Sequence, residues 1–259
     1  MRGGRRLAAL ALAALCAANA RPALAIGVRY PDPIAVVSGE CGDVVADLMS
    51  RPRSWSVEVS DRELFGDVGL RLVGVRGALA HGRWRIGAEA AQVSAEVGAE
   101  TRTALRIALA EAEWTAEVGV THDTAAIGDA PAARLTGLDV HTLVSLSNRV
   151  RVGCDIEGFR VAGIANPGAD VVTSVAVSSA AGVAVTSALV VDRSLGAYAC
   201  VSAAVRMGGR AVVLAGYDDG SASLSLAVAI RAKSARVVAV ASAHPVLGLS
   251  RGASVGWGR

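Results

Sequence analysis

From Ser54 onward the chain alternates apolar and polar residues with a period of two, and it keeps doing so for some two hundred residues. Successive side chains of a strand point to opposite faces, so such a run folds as two-faced β-strands or not at all. In "SWSVEVS", Trp55, Val57 and Val59 share one face while Ser54, Ser56, Glu58 and Ser60 share the other. "RWRIGAEA" repeats the pattern, with Trp84, Ile86, Ala88 and Ala90 opposite Arg83, Arg85 and Glu89. In "NRVRVGCDIEG", Val150, Val152, Cys154 and Ile156 make an apolar face, and Arg149, Arg151, Asp155 and Glu157 a charged one. Hairpin-type breaks separate the runs at Ser147-Asn148, Ala181-Gly182, Gly208-Gly209 and Asp218-Asp219-Gly220. Connections that short join antiparallel neighbours, which predicts an antiparallel meander. The stretch from Gln92 to Leu109 also tolerates a helical reading through its Ala, Leu and Glu content.

A meander of two-faced strands has two ways to hide its apolar side. It can close on a dry core as a soluble sandwich or barrel, or it can turn that side out toward lipid. Three features favour the second. Polar faces such as Arg149, Arg151, Asp155 and Glu157 carry several charges in one strand, which a wet lumen accepts. The last strand runs to the end of the sequence with Trp257 near its terminus, as bacterial outer-membrane barrels present theirs. The N-terminus supplies an export route. The expected fold class is therefore all-β: an antiparallel up-and-down transmembrane β-barrel of roughly 10–14 strands. Trp55, Trp84, Trp114 and Trp257 are the expected interface aromatics, although Phe, Trp and Tyr together make up only 3% of the chain, thin material for two girdles. The alternative is a soluble periplasmic or secreted β-domain that binds a ligand or partner.

Residues 1–25 read as a signal peptide: "MRGGRR" is basic, "LAALALAALCAA" is apolar, and "ALA" offers small residues for cleavage after Ala25. Residues 26–52 form a lead-in segment and 53–259 the barrel domain. The whole sequence holds 26 Lys+Arg against 23 Asp+Glu. Arg2, Arg5, Arg6 and Arg21 leave with the leader, so 26 − 4 gives 22 basic against 23 acidic residues and a mature net charge near −1. No basic stripe with interleaved aromatics remains, and nucleic acid is not an expected partner. Cys41, Cys154 and Cys200 allow one disulfide at most, and the last two read as small apolar residues on a strand face.

Catalytic and metal chemistry finds little support. "GASVG" at Gly252–Gly256 matches a nucleophile elbow in form, but only three residues follow it where a helix and a histidine are needed, so Ser254 reads as a strand residue. His81, His122, His141 and His244 stand singly, without close-paired ligand spacing. "GYDDG" lacks the spacing of a calcium loop and reads as a hairpin turn. No catalytic residue, metal or cofactor is expected. The one constellation with a functional reading is the lumen cluster Arg149, Arg151, Asp155 and Glu157, which would guide or exclude solutes by charge. The competing reading is that opposed charges fill and cross-link a narrow barrel.

"ADLMSRPRSWSVEVSDRELFGDVG" entering "HGRWRIGAEA", "GFRVAGIANPG" after a charged strand, and the closing "HPVLGLS" leading to "SVGW" resemble, in content and order, the PorV/PorQ-like outer-membrane barrel proteins, relatives of the FadL-type fatty-acid transporters. The likeness runs from about residue 40 to the end. It implies an architecture more than an activity: a non-enzymatic barrel in the outer membrane, in envelope transport or as a secretion or scaffold accessory. The partners implied are outer-membrane lipid, the barrel-assembly machinery through the C-terminal strand, and an envelope protein. A fatty-acid channel is not implied.

Overall fold

The computed structural model describes residues 54–64, 70–95, 98–127, 132–163, 170–178, 182–192, 196–220 and 222–258. The expected signal peptide and lead-in segment, and Cys41, lie outside them. Every described element is a strand, in the order β1 (Trp55–Leu64), β2 (Leu70–His81), β3 (Trp84–Ala95), β4 (Gly98–Ala110), β5 (Trp114–Ile127), β6 (Ala133–Ser145) and β7 (Val150–Gly163). There follow β8 (Asp170–Ser178), β9 (Val183–Asp192), β10 (Gly196–Met207), β11 (Ala211–Asp218), β12 (Ser223–Ala232), β13 (Ala235–His244) and β14 (Gly248–Gly258). Each pairs antiparallel with its sequence neighbours, and β14 pairs with β1 to close a 14-stranded barrel. Closure leaves no strand edge with unpaired backbone groups. Gln92 lies in β3 and Leu109 in β4, so cross-strand pairing overrides the helical propensity of that stretch.

The turns use the chemistry their sequences offer. Ser147 Oγ accepts the backbone N–H groups of Arg149 and Val150, which bends the chain from β6 into β7. At the β13–β14 turn His244 Nδ1 accepts from Val246 and Leu247 N–H, so this histidine caps the Pro245 break. Cys154 and Cys200 are both buried.

Register assigns every alternate residue to one side of the wall. Trp55, Val57 and Val59 of β1 pair on one side with Leu79, Gly77 and Val75 of β2. This side faces outward: Val57 is 41% exposed, Ile107 48%, Val118 53%, Leu189 52% and Leu226 51%. Around the barrel it is a Val, Leu, Ile and Ala surface. A soluble barrel would bury these residues in a core, and here they cover the outside. The other side holds Glu58, Arg62, Thr121, Asp139, Ser202, Ser225 and Ser254, all buried.

The four tryptophans collect on one rim. Trp55, Trp84 and Trp114 open β1, β3 and β5, and Trp257 stands one residue before the end of β14. Odd and even strands run in opposite directions, so all four lie on the rim where β1 begins and β14 ends, on the outward side. Four large rings thus occupy one arc of one rim.

An outward apolar band predicts that Ile107→Arg, placed mid-strand on β4, destabilises the barrel in lipid vesicles by roughly 2–4 kcal/mol. Urea unfolding followed by tryptophan fluorescence reads the loss. An unchanged midpoint would mean that Ile107 does not face hydrocarbon.

Candidate functional site

The inner wall is chemically divided. On β8–β13 it is built from small apolar residues, with Ala176, Ala184, Ala204, Leu214, Ala227 and Val240 in one buried cluster. A row of hydroxyls crosses this half: Thr186, Ser202, Ser225, Ser242 and Ser250 stand in register on β9, β10, β12, β13 and β14. Within it Ser225 and Ser242 are hydrogen-bonded at 2.9 Å. The half made by β1–β7 carries acids and arginines in nearly equal number, and these lie in lateral rows that cross the strands.

One row runs Arg231, Arg236, Gly256, Glu58, Arg76, Glu89 from β12 to β3. Glu58 accepts from Arg76 Nη2 at 2.9 Å and, across the strand that holds Gly256, from Arg236. A second row runs Gly87, Arg106, Gly119, Asp139 on β3–β6. A Cβ on Gly119 would stand 3.0 Å from Arg106 Cγ. Because residue 119 has no side chain, Arg106 lies across its strand and reaches Asp139 two strands away, at 3.7 Å.

Asp139 is the centre of this network. It has no exposed surface and also accepts from Arg102 Nη2 at 3.2 Å. Arg106 further meets Glu117 at 3.6 Å and Glu89 at 4.0 Å, and Arg102 meets Asp123 at 3.9 Å. Two guanidiniums thus hold together four carboxylates from β3, β5 and β6. A third row places Glu117, His141 and Asp155 side by side, with His141 Nδ1 3.2 Å from Asp155 Oδ1. Such rows brace the wall, and they give one flank of the lumen a dense but nearly balanced field.

The residues singled out from sequence fall as follows. Arg151 and Asp155 belong to the inward side of β7, and Asp155 joins the row through His141. Arg149 lies in the turn before β7 and is exposed. Glu157 is in β7 opposite Asp170. The denser network on β3–β6 is hidden in the sequence because its charges are spread over four strands, one or two in each. The available signal was modest: Arg102 and Arg106 are spaced by four, and Asp139 and His141 by two, so each pair shares a strand face. Ser254 lies on the inward side of β14 and is buried, a strand residue and no nucleophile elbow. Among the described residues no group of His, Cys, Asp and Glu is arranged to hold a metal ion.

The sequence matches no protein-family profile and no curated protein. Solved structures are similar in fold. The Acinetobacter baumannii outer membrane protein Omp33 superposes with a TM-score of 0.55 at 7% identity, over 80% of this chain and 98% of that one. The CymD monoaromatic hydrocarbon channel gives 0.56 at 10% identity, over 92% and 94%. A deletion mutant of the TodX monoaromatic hydrocarbon channel gives 0.50 at 9% identity, over 87% and 94%. At these identities the likeness is one of fold.

The buried network predicts an asymmetry between its members and exposed pairs. Asp139→Ala removes the buried acid that both guanidiniums share, leaving Arg102 with Asp123 and Arg106 with Glu117 and Glu89, and costs roughly 1.5–3 kcal/mol of barrel stability. Glu111→Ala, which removes an exposed partner of Arg83 at 3.2 Å, leaves the urea midpoint near wild type. Gly119→Val forces Arg106 off Asp139 but leaves Arg102 on it, and lowers the midpoint in the same titration by less than the Asp139 variant does.

Proposed function

We propose that the chain is a non-enzymatic outer-membrane β-barrel that serves transport across the envelope, with the charged flank of β1–β7 as the polar wall past which solutes move. The observation that carries this reading is the inversion of the barrel: apolar side chains cover the outside, and ion-paired rows line the inside. Hydrocarbon is the solvent that such an outside fits, and water or polar solute the content that such an inside fits. Strands of eight to fourteen residues suit a bilayer, where a tilted spanning strand needs about 9–11. The fold shared with Omp33 and CymD, named as an outer membrane protein and a hydrocarbon channel, supports the same reading.

The finer parts follow from the sequence. Residues 1–25 direct export, and the strand ending at Trp257 is the segment offered to the barrel-assembly machinery. The resemblance to PorV/PorQ-like proteins supports a second role, as a secretion or scaffold accessory that binds another envelope protein. In the membrane, the rim of the four tryptophans faces the periplasm, since its connections run from two to four residues while those of the other rim reach six.

Cell fractionation with electrophoresis of boiled and unboiled samples tests the location: the expected result is an outer-membrane band that shifts on heating. A soluble periplasmic fraction with no shift would overturn the reading. In planar bilayers the transport role predicts ionic conductance, weakly selective because the wall charges are nearly balanced. A barrel that inserts and passes neither ions nor small solutes would leave the accessory role.

A further inference from the structure

Charge enters the outward side nearer the tryptophan rim on the closing strands β1 and β14 than any polar residue does on β3 or β5. The rim tryptophans provide a common baseline. On β3, Trp84 is followed outward by Ile86, Ala88 and Ala90 before the first polar residue, Gln92. On β5, eight residues separate Trp114 from His122. At a rise of about 3.3 Å per residue and a strand tilt of about 40°, eight residues climb about 20 Å of barrel height. On β1 the outward side turns from Val59 to Asp61 only six residues above Trp55, and on β14 from Ala253 to Arg251 six residues below Trp257 in sequence. Six residues climb about 15 Å, against an apolar band about 25 Å tall in outer-membrane barrels.

The charges there form an ordered set. Register places Arg251, Glu63 and Arg71 side by side on β14, β1 and β2. Arg71 is held by Asp61 through two hydrogen bonds, Nε to Oδ1 at 2.9 Å and Nη2 to Oδ2 at 2.5 Å. Arg251 donates from Nε to Glu63 Oε2 at 2.8 Å. Both guanidiniums are thereby oriented, yet their side chains stay 63% and 71% exposed, and a guanidinium carries five N–H donors, more than these bonds use. Hydrocarbon cannot satisfy those donors. A lipid phosphate can, and Arg offers it a planar fork.

We infer that the β14–β1–β2 seam is a headgroup-binding patch: lipid phosphates of the leaflet opposite the tryptophan rim settle against Arg71 and Arg251, and the bilayer is locally thinned there. The inference rests on the membrane reading above. A bilayer meets a short apolar stretch by thinning, at a small cost per ångström, and two oriented guanidiniums offset that cost. Among the described residues the outward sides of β3, β4 and β8–β13 carry no Asp, Glu, Lys or Arg, so the thinning is confined to the charged sector.

The test uses the full barrel in phosphatidylcholine vesicles of increasing acyl length. Replacing Asp61, Glu63, Arg71 and Arg251 together by valine should move the chain length of fastest folding toward thicker bilayers, while Arg134→Val, on the outward side of β6, should not. In wild-type protein, a gadolinium-chelating lipid headgroup should broaden the backbone amide of Asp61 as strongly as that of Gln92, despite the lower position of Asp61 on its strand. That second readout stands if the quadruple variant does not fold. An unchanged optimum in a folded variant, or an Asp61 amide spared relative to Gln92, would overturn the inference. Failure of the wild type to insert into any bilayer would instead overturn the membrane reading.

Discussion

The pairing of β14 with β1 is the constraint on which the structure depends. An open sheet of this length would leave one row of backbone N–H and C=O groups bare at each edge, and no lipid can satisfy them. With Ser56 opposite Gly258 and Glu63 opposite Arg251, the first and last strands satisfy each other. That register also decides which face is which. A slip of one residue would turn Val57 and Val59 inward and Glu58 and Arg62 out, and would strand both sets.

Given closure, the interior has to be filled with side chains of opposite demands, and the chain solves this by dividing it. Long ionic side chains crowd β1–β7, while alanine, valine and serine keep β8–β14 thin. Residues without a side chain make the crowded half workable. At Gly256 and Gly119 an arginine crosses a whole strand to reach its acid, so Glu58 gains Arg236 and Asp139 gains Arg106. The number of carboxylates that one guanidinium serves is therefore set as much by the empty position between them as by the charges.

The sequence showed the strands clearly because alternation is local: Trp55, Val57 and Val59 declare their face within five residues. It also showed turns such as that at Ser147, which acts on backbone groups two and three positions away. What it did not show was lateral. Asp139 and Arg102 are 37 residues apart, and they meet only because β4, β5 and β6 are stacked in one particular register. The local signal is strongest at β7 and the turn before it, where Arg149, Arg151, Asp155 and Glu157 crowd one segment. The gathering of the tryptophans on one rim was hidden for the same reason, since strand direction at Trp257 follows from counting every strand before it. The direction in which the apolar side faces is likewise a property of the closed sheet and of no single strand.

The bond between Glu58 and Arg236 has a consequence in time. Arg102 and Asp139 become neighbours as soon as two consecutive hairpins exist, whereas 178 residues separate Glu58 from Arg236. Loop-closure entropy delays contacts of such long range until nearly everything between them is in place. The Arg102–Asp139 pair thus belongs to the early growth of the sheet, and the Glu58–Arg236 pair is a clasp that fastens only when the cylinder shuts. A probe at the second would report completion of the barrel, separately from the assembly of its parts.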